Sequence, residues 1–456
     1  MTISDYKRWY EKHRDEVLRD FFTFLSFPSI STDPAFEKES RNTAKWLSDY
    51  LTQIGLQSRV IDTTGLPVIF ATELSAGPDR PTVLIYQHYD VQPVDPLELW
   101  RSDPFKPVIR DGEVYARGAQ DNKGQCFYSV TALRAFLELC KEKRVNIKIL
   151  IEGEEESGSR GTLAFLKSKK VDLKADHLFV IDFGLPKKNV PAITLGMRGL
   201  VSLSVTFQSS RIDLHSGVHG GIAFNPNRAL AETLGKLWDE KGKVRVPHFY
   251  DTVSVPSKEE RAKLSMQFNQ AEYANAFGVT AFCMEEGFSP LEANWFRPSL
   301  EVNGLVGGYT GAGVKTVIPA KAEAKLSCRL VAGQDPKEIA ESIVAFLKQE
   351  APKGVQVEAQ IFEGAAAFST SSTTRAVQMT QQALEEVFGK PCQFQMCGAT
   401  VPIVPALVEA SSAEAVLFGM GLDDDDIHAP NEHFGLDRFE QGFLTITGIL
   451  TAANHS

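Results

Sequence analysis

The sequence predicts an α/β protein built on a mostly parallel sheet with helices on both faces, into which a smaller α+β domain is inserted. Three observations carry this. Short, wholly apolar runs suited to buried strands alternate with helical spacings over the first part of the chain. From about residue 199 the pattern changes to single alternation of apolar and polar residues, as in strands with one wet face. Near the C-terminus the first pattern returns.

The elements follow in order. Residues 1–27 and 37–54 are spaced as amphipathic helices, separated by the polar, turn-rich stretch Ser29 to Pro34. Pro81-Thr-Val-Leu-Ile-Tyr-Gln87 is the first buried strand. Lys123 to Lys143 has helical spacing, with Phe127, Val130, Leu133 and Leu137 on one face. Asn146 to Ile151, His177 to Ile181 and Ala413 to Phe418 are three further buried strands. In the inserted part, Leu200 to Phe207 and Ala322 to Leu330 alternate as strands, while Asn225 to Trp238 and Asp335 to Gln349 are spaced as helices. Helix Thr373 to Phe388 returns the chain to the first domain. The expected division is 1–198 with 367–456 for the larger domain and 199–366 for the insert. There is no internal repeat and no low-complexity tract.

Composition narrows the function. The 456 residues are 43% hydrophobic and 23% charged, ordinary globular usage that supplies sizeable cores. A net charge of −10 speaks against nucleic acid, which needs a basic footprint. No apolar run reaches the roughly 20 residues of a membrane span, and Met1 to Asp20 lacks a signal-peptide core. Cys126, Cys140, Cys283, Cys328, Cys392 and Cys397 are scattered without a Cys-x-x-Cys pair. They read as reduced thiols of a cytoplasmic protein.

Residues able to bind metal stand just after the predicted strands. His88 and Asp90 follow the first; Glu154, Glu155 and Glu156 follow the second; Asp182 ends the third. His428 lies in the loop after the fourth, and Asp121 opens the helix at 123. Open α/β sheets bind ligands beyond the carboxyl ends of their strands, so these groups should converge on one crevice. Any one of them alone would be an ordinary loop residue; the whole set at equivalent strand ends is harder to dismiss. Imidazole and carboxylate suit zinc or manganese. His88, Asp121, Glu156, Asp182 and His428 are enough for two neighbouring ions sharing one carboxylate, with a glutamate left for proton transfer. A metal lowers the pKa of bound water from 15.7 to about 7.

Several blocks then resemble one large family. His88-Tyr-Asp90, Gly118-Ala-Gln-Asp-Asn-Lys-Gly124 and Gly153-Glu-Glu-Glu-Ser-Gly-Ser159 are similar to signatures of the co-catalytic di-zinc peptidases. That family includes carnosinases, cytosolic non-specific dipeptidases, aminoacylases, acetylornithine deacetylases and glutamate carboxypeptidases. Asp213-Leu-His-Ser-Gly217, Lys315-Thr-Val-Ile-Pro319, Cys328-Arg-Leu330 and His428 extend the match, with the dipeptidase and carnosinase branch nearest. The resemblance implies a zinc-peptidase-like catalytic domain with a lid and dimerisation insert. It implies two ions per chain, Zn2+ or alternatively Mn2+: His88 and Asp182 hold one, Glu156 and His428 the other, and Asp121 bridges them. Glu155 matches the general base, and Asp90 would orient the His88 imidazole. A cis peptide is expected at Asp121–Asn122. His215 matches a histidine that reaches the partner subunit's site in a homodimer, and Arg329 matches an arginine that grips the substrate's C-terminal carboxylate.

One departure stands out. The branch carries an acidic residue and two glycines before Ser-Ile-Pro, where this chain reads Met396-Cys-Gly-Ala-Thr-Val-Pro402. Thr400 can replace the serine hydroxyl, but Cys397 cannot replace a carboxylate. His219 and His433 lie near site loops and are expected to be bystanders. Gly308-Tyr-Thr-Gly-Ala-Gly313 with Lys315 nearly spells a phosphate loop, but Val314 intrudes and a strand follows. No Gly-x-Ser-x-Gly elbow is present. The expected function is hydrolysis of the amide bond of dipeptides or small peptides with a free C-terminal carboxylate. The rivals are a deacylase of N-acyl amino acids and a catalytically silent binding homologue.

Overall fold

The computed structural model describes residues 1–168 and 171–455. They form two compact units, one of Met1–Leu195, Thr370–Gln395 and Ile403–Ser456, the other of Gly196–Ser369 and Met396–Pro402.

The sheet of the first unit runs in the order Gln57–Ile61, Val68–Glu73, Asn146–Glu152, Thr82–His88, His177–Ile181, Glu414–Phe418, with Ala192–Met197 joined through Thr194. The four strands foreseen from their apolar runs form its parallel centre. Asn146–Glu152 and His177–Ile181 are buried along their whole length, as strands covered on both faces must be. The flanking strands are antiparallel and were not foreseen. Gln57–Ile61 is mostly exposed and carries no apolar run to announce it.

Because the central strands point the same way, His88, Glu152, Ile181 and Phe418 come to one edge of the sheet. Helices Ile3–Leu25, Lys123–Leu139 and Leu436–Asn454 share an aromatic core, with the Phe21 ring 5.7 Å from Phe127 and 5.1 Å from Phe439. Rings at such distances add about 0.5–1.5 kcal/mol per pair beyond area burial. Helix Lys123–Leu139 is buried on nearly every side, which fixes the start of that helix, where Asp121 stands. It ends four residues before the sequence suggested, with Cys140 extended and the charged run Lys141 to Arg144 offering no apolar stripe.

The second unit holds an antiparallel sheet in the order Ser299–Gly307, Lys321–Leu330, Gly199–Gln208, Gln356–Ile361. Gly199–Gln208 alternates buried and half-buried residues strictly, the burial that its sequence pattern calls for. Val201, Leu203, Val205 and Phe207 meet Ile339, Ile343 and Leu347 of helix Pro336–Glu350 in its core. Asp335 caps that helix by accepting from Lys337 N and Glu338 N. The helix expected over 225–238 spans Pro226–Leu234, with Gly235 at its cap. No helix among the described residues is long and apolar enough to cross a membrane.

Candidate metal centre and active site

His88 is the last residue of its strand, and its ring is fully buried. Nδ1 lies 3.1 Å from the Asp90 carbonyl oxygen and 3.3 Å from Asp90 Oδ1. Nε2 faces two other carboxylates, 3.3 Å from Asp121 Oδ1 and 3.5 Å from Asp182 Oδ1, yet makes no hydrogen bond. On the far side of Asp121, Oδ2 is 3.0 Å from His428 Nε2, which is itself 3.3 Å from Glu156 Oε2. Asp121 therefore stands between two groups, His88–Asp121–Asp182 and Asp121–Glu156–His428, each with its donor atoms within 4.8 Å of one another.

These separations fit shared cations. Two ligands each about 2.1 Å from a tetrahedral ion lie roughly 3.4 Å apart, and the four distances run from 3.0 to 3.5 Å. The electrostatics agree. Burial, together with the Asp121 carboxylate, pushes Glu156 up to about 7. Burial first, then the charges of Asp182, Glu156 and Asp121, raise Glu155 well above the usual carboxylate range despite His88. Hydrogen bonds to Asp121 and Glu156 hold His428 up at about 10. So many acids in one dry space need positive charge, and Glu156 Oε1 is buried with no partner.

The local scaffold explains how the acids are held. Asp90 accepts from Glu155 N at 3.2 Å and from Glu156 N at 3.1 Å, so it anchors the turn Glu155–Ser157 as well as facing His88. Gln92 Nε2 donates to Glu156 Oε2 at 2.8 Å. The Asp121–Asn122 peptide is cis, as expected. Asn122 Nδ2 donates to Asp182 Oδ1 and to the Ile181 carbonyl. Lys123 Nζ donates to the carbonyls of Phe24 and Phe27, and burial pushes its amine down to about 7. His428 adopts a left-handed backbone at φ 59, a conformation that strained site residues often hold.

Sequence reasoning missed Glu432. Its buried carboxylate accepts from Gln120 N and Asp121 N on one oxygen, both at 3.0 Å. The other oxygen takes Gly118 N at 2.9 Å and Arg117 Nη1 at 2.7 Å. Glu432 follows His428 by four residues, so it ties the loop of His428 to the loop of Asp121. The ties of Gln92 to Glu156, Asn122 to Asp182 and Lys123 to the Phe24 and Phe27 carbonyls were also passed over; contacts between residues far apart in the chain leave no spacing to read.

The remaining expected residues lie elsewhere. His433 Nε2 is 3.2 Å from Glu113 and its ring stacks on Tyr115. Glu113, Asp425 and His433 form a third cluster of ligand type, but Arg438 already spans Asp425 with two bonds of 2.5 and 2.6 Å. Glu154 turns aside and accepts from Gly161 N. In the second unit, His215 is exposed, and its Nδ1 accepts from Gly217 N at 3.0 Å. The neutral ring then carries its proton on Nε2. His219 ends the short helix Ser216–His219. Arg329 Nη1 donates to Thr400 Oγ1 at 2.7 Å, and Thr400 donates to the Arg198 carbonyl.

A parallel-centred sheet presenting paired carboxylate–imidazole clusters at its strand ends defines a metal-dependent hydrolase. The model of peptidase family M20/M25/M40 matches residues 84–452, and the chain belongs to that family. It is 29% identical over 454 residues to the Beta-Ala-His dipeptidase of Homo sapiens, covering 95% of this chain and 89% of that one. The dipeptidase Dug1p of Saccharomyces cerevisiae superposes with a TM-score of 0.84 at 26% identity, covering 100% and 99% of the two chains. The metallo-carboxypeptidase Sso-CP2 of Sulfolobus solfataricus gives 0.85 at 30%, covering 97% and 100%. Divalent metal binding goes with the family and with the candidate ligand groups described above.

Proposed function

We propose that the protein is a dipeptidase that hydrolyses the amide bond of dipeptides bearing a free C-terminal carboxylate. The observation that carries this is Asp121 held between two ligand clusters with the half-buried Glu155 beside them. In this reading His88 and Asp182 would hold one ion and Glu156 and His428 the other, with Asp121 available to both. Zinc is the first choice of metal and manganese the alternative. Bound ions supply Lewis acidity and acidify water from 15.7 to about 7.

The chain's own residues do the rest. Glu155 takes a proton from the attacking water and returns it to the leaving nitrogen as the C–N bond breaks. Asp90 fixes the His88 ring through Nδ1. His215 donates from Nε2 to the oxygen on which negative charge develops. Arg329, oriented by Thr400, receives the terminal carboxylate. The second unit serves as lid and dimerisation domain, and His215 acts across a homodimer. A cytoplasmic location belongs to the same proposal, resting on six cysteines with no disulfide among the described residues.

Relatives named as dipeptidases favour this over N-acyl amino acid deacylation, and intact Glu155 with all five ligand positions speaks against a silent homologue. The test is a panel of dipeptides against N-acetyl and N-succinyl amino acids, with zinc and manganese each supplied to chelated protein. Dipeptides should be cleaved, activity should vanish on chelation, and metal should restore it. Turnover of the acyl compounds alone would replace the dipeptidase reading; activity that survives chelation, with no metal found by elemental analysis, would remove the metal mechanism.

A further inference from the structure

Arg198 has no role so far, and its surroundings are unusual. Its side chain is buried, with the residue only 8% exposed. Nε donates to the Gly398 carbonyl at 2.8 Å and Nη1 to Ser299 Oγ at 3.3 Å. Ser299 is paired opposite Arg329 in the sheet, and Arg329 donates to Thr400, two residues beyond Gly398. Two guanidiniums thus close on one short loop of the second unit. The loop packs closely on its neighbour: a Cβ on Gly398 would stand 2.1 Å from Asn294 Oδ1, so a larger residue there would have to displace the Asn294 side chain.

The partners of both guanidiniums are neutral, a carbonyl and two hydroxyls, and no carboxylate lies within ion-pair distance of either among the described residues. Position 397, beside the Gly398 contact, is a cysteine and not an acid. Burial first, then the charge of Arg329, pull Arg198 down to about 10, still far above neutrality, against weaker opposing effects of Cys397, Cys328 and Glu301, none of them at ion-pair distance. Burial lowers Arg329 as well. Burial pushes the neighbouring Cys328 thiol up, which keeps it neutral. One buried and one half-buried guanidinium without an ion-pair partner are costly to fold around. Guanidinium donors match carboxylate geometry, and the bonds in use leave most of the ten N–H groups of the pair available.

We propose that Arg198 is a second guanidinium of the carboxylate site, and that with Arg329 it selects substrates whose C-terminal residue carries two carboxylates, aspartate or glutamate. This rests on the reading of Arg329 as the holder of the terminal carboxylate. It deepens that reading by naming the substrate class: two guanidiniums without an ion-pair partner are matched by two carboxylates.

The test compares alanyl-glutamate with alanyl-glutamine, which differ by one charge at nearly constant shape, on the metal-loaded enzyme. The expected preference in kcat/KM for alanyl-glutamate is roughly 10–100-fold, the range for one charged hydrogen bond. It should lie mainly in KM. Arg198→Gln should bring the ratio near one, while Arg198→Lys, which keeps charge but loses the Nε contact, should retain part of it. If Lys fails as fully as Gln, Arg198 only braces the loop and the proposal falls. Equal rates for the two dipeptides in the wild type also overturn it. A third substrate, with the terminal α-carboxylate amidated, separates the two ideas. If that change is harmless, the Arg329 reading fails; if it abolishes turnover while the glutamate preference is absent, only the Arg198 proposal does. Calorimetry adds a readout free of turnover: glutarate should bind at least tenfold more tightly than butyrate, and Arg198→Gln should erase the difference. Equal binding of the two acids by the wild type overturns the proposal.

Discussion

Glu155 and Glu156 are adjacent in the chain and face different tasks. Glu156 Oε2 sits against His428 and Gln92, within a cluster of donor atoms. The Glu155 side chain belongs to neither cluster, though it feels the charges of both. Removing charge from each should therefore separate affinity from rate. Glu155→Gln is expected to retain both ions and lose roughly 10²–10⁴ in kcat, the usual loss with a general base. Glu156→Gln should bind one ion weakly. Elemental analysis beside kinetics decides the matter; if the two metal contents come out reversed, the roles of the two glutamates are exchanged.

At the scale of elements, what could be read from the sequence was what burial writes into it. The four central strands were legible because both their faces are covered, so they are apolar throughout. Their common direction brings His88, Asp182 and the glutamate turn to one edge, while the buried helix Lys123–Leu139 and the loop after Phe418 deliver Asp121 and His428. The outer strand Gln57–Ile61 was illegible because it is mostly exposed and buries none of its residues, so burial writes no pattern into it. Strand Ser299–Gly307 was hidden by a register shift between Val302 and Gly304, which breaks its alternation. Loop-to-loop ties were illegible for another reason. Glu432 reaches backbone N–H groups more than three hundred residues away, and any sequence offers such groups everywhere. Its importance can be measured. Glu432→Gln puts an amide N–H against backbone donors and strips a buried partner from Arg117, so it should cost about 3–5 kcal/mol in denaturant unfolding. It should also weaken cobalt binding, followed by visible absorption of the metal-substituted protein. Unchanged cobalt affinity beside a large stability loss would confine Glu432 to holding the fold.

For the whole molecule, the proposed chemistry divides between the two units. The ligand clusters and Glu155 belong to the first, while His215, Arg329 and Thr400 belong to the second. A division of that kind suits a homodimer in which each site takes its oxyanion donor from the partner subunit. His215→Ala alone should lose roughly 10²–10³ in rate, as for one such donor. Glu155→Ala alone should be nearly inactive. Mixing the two variants and allowing subunits to exchange gives a heterodimer with one site carrying both defects. The other site has an intact Glu155 on its own chain and an intact His215 from the partner, so activity should reappear. A histidine that serves its own chain would leave each chain with one defect, and mixing would restore nothing. Exchange can be verified by differently tagged chains recovered together. Verified exchange with no regained activity would exclude the shared site and leave the two-metal chemistry as it stands.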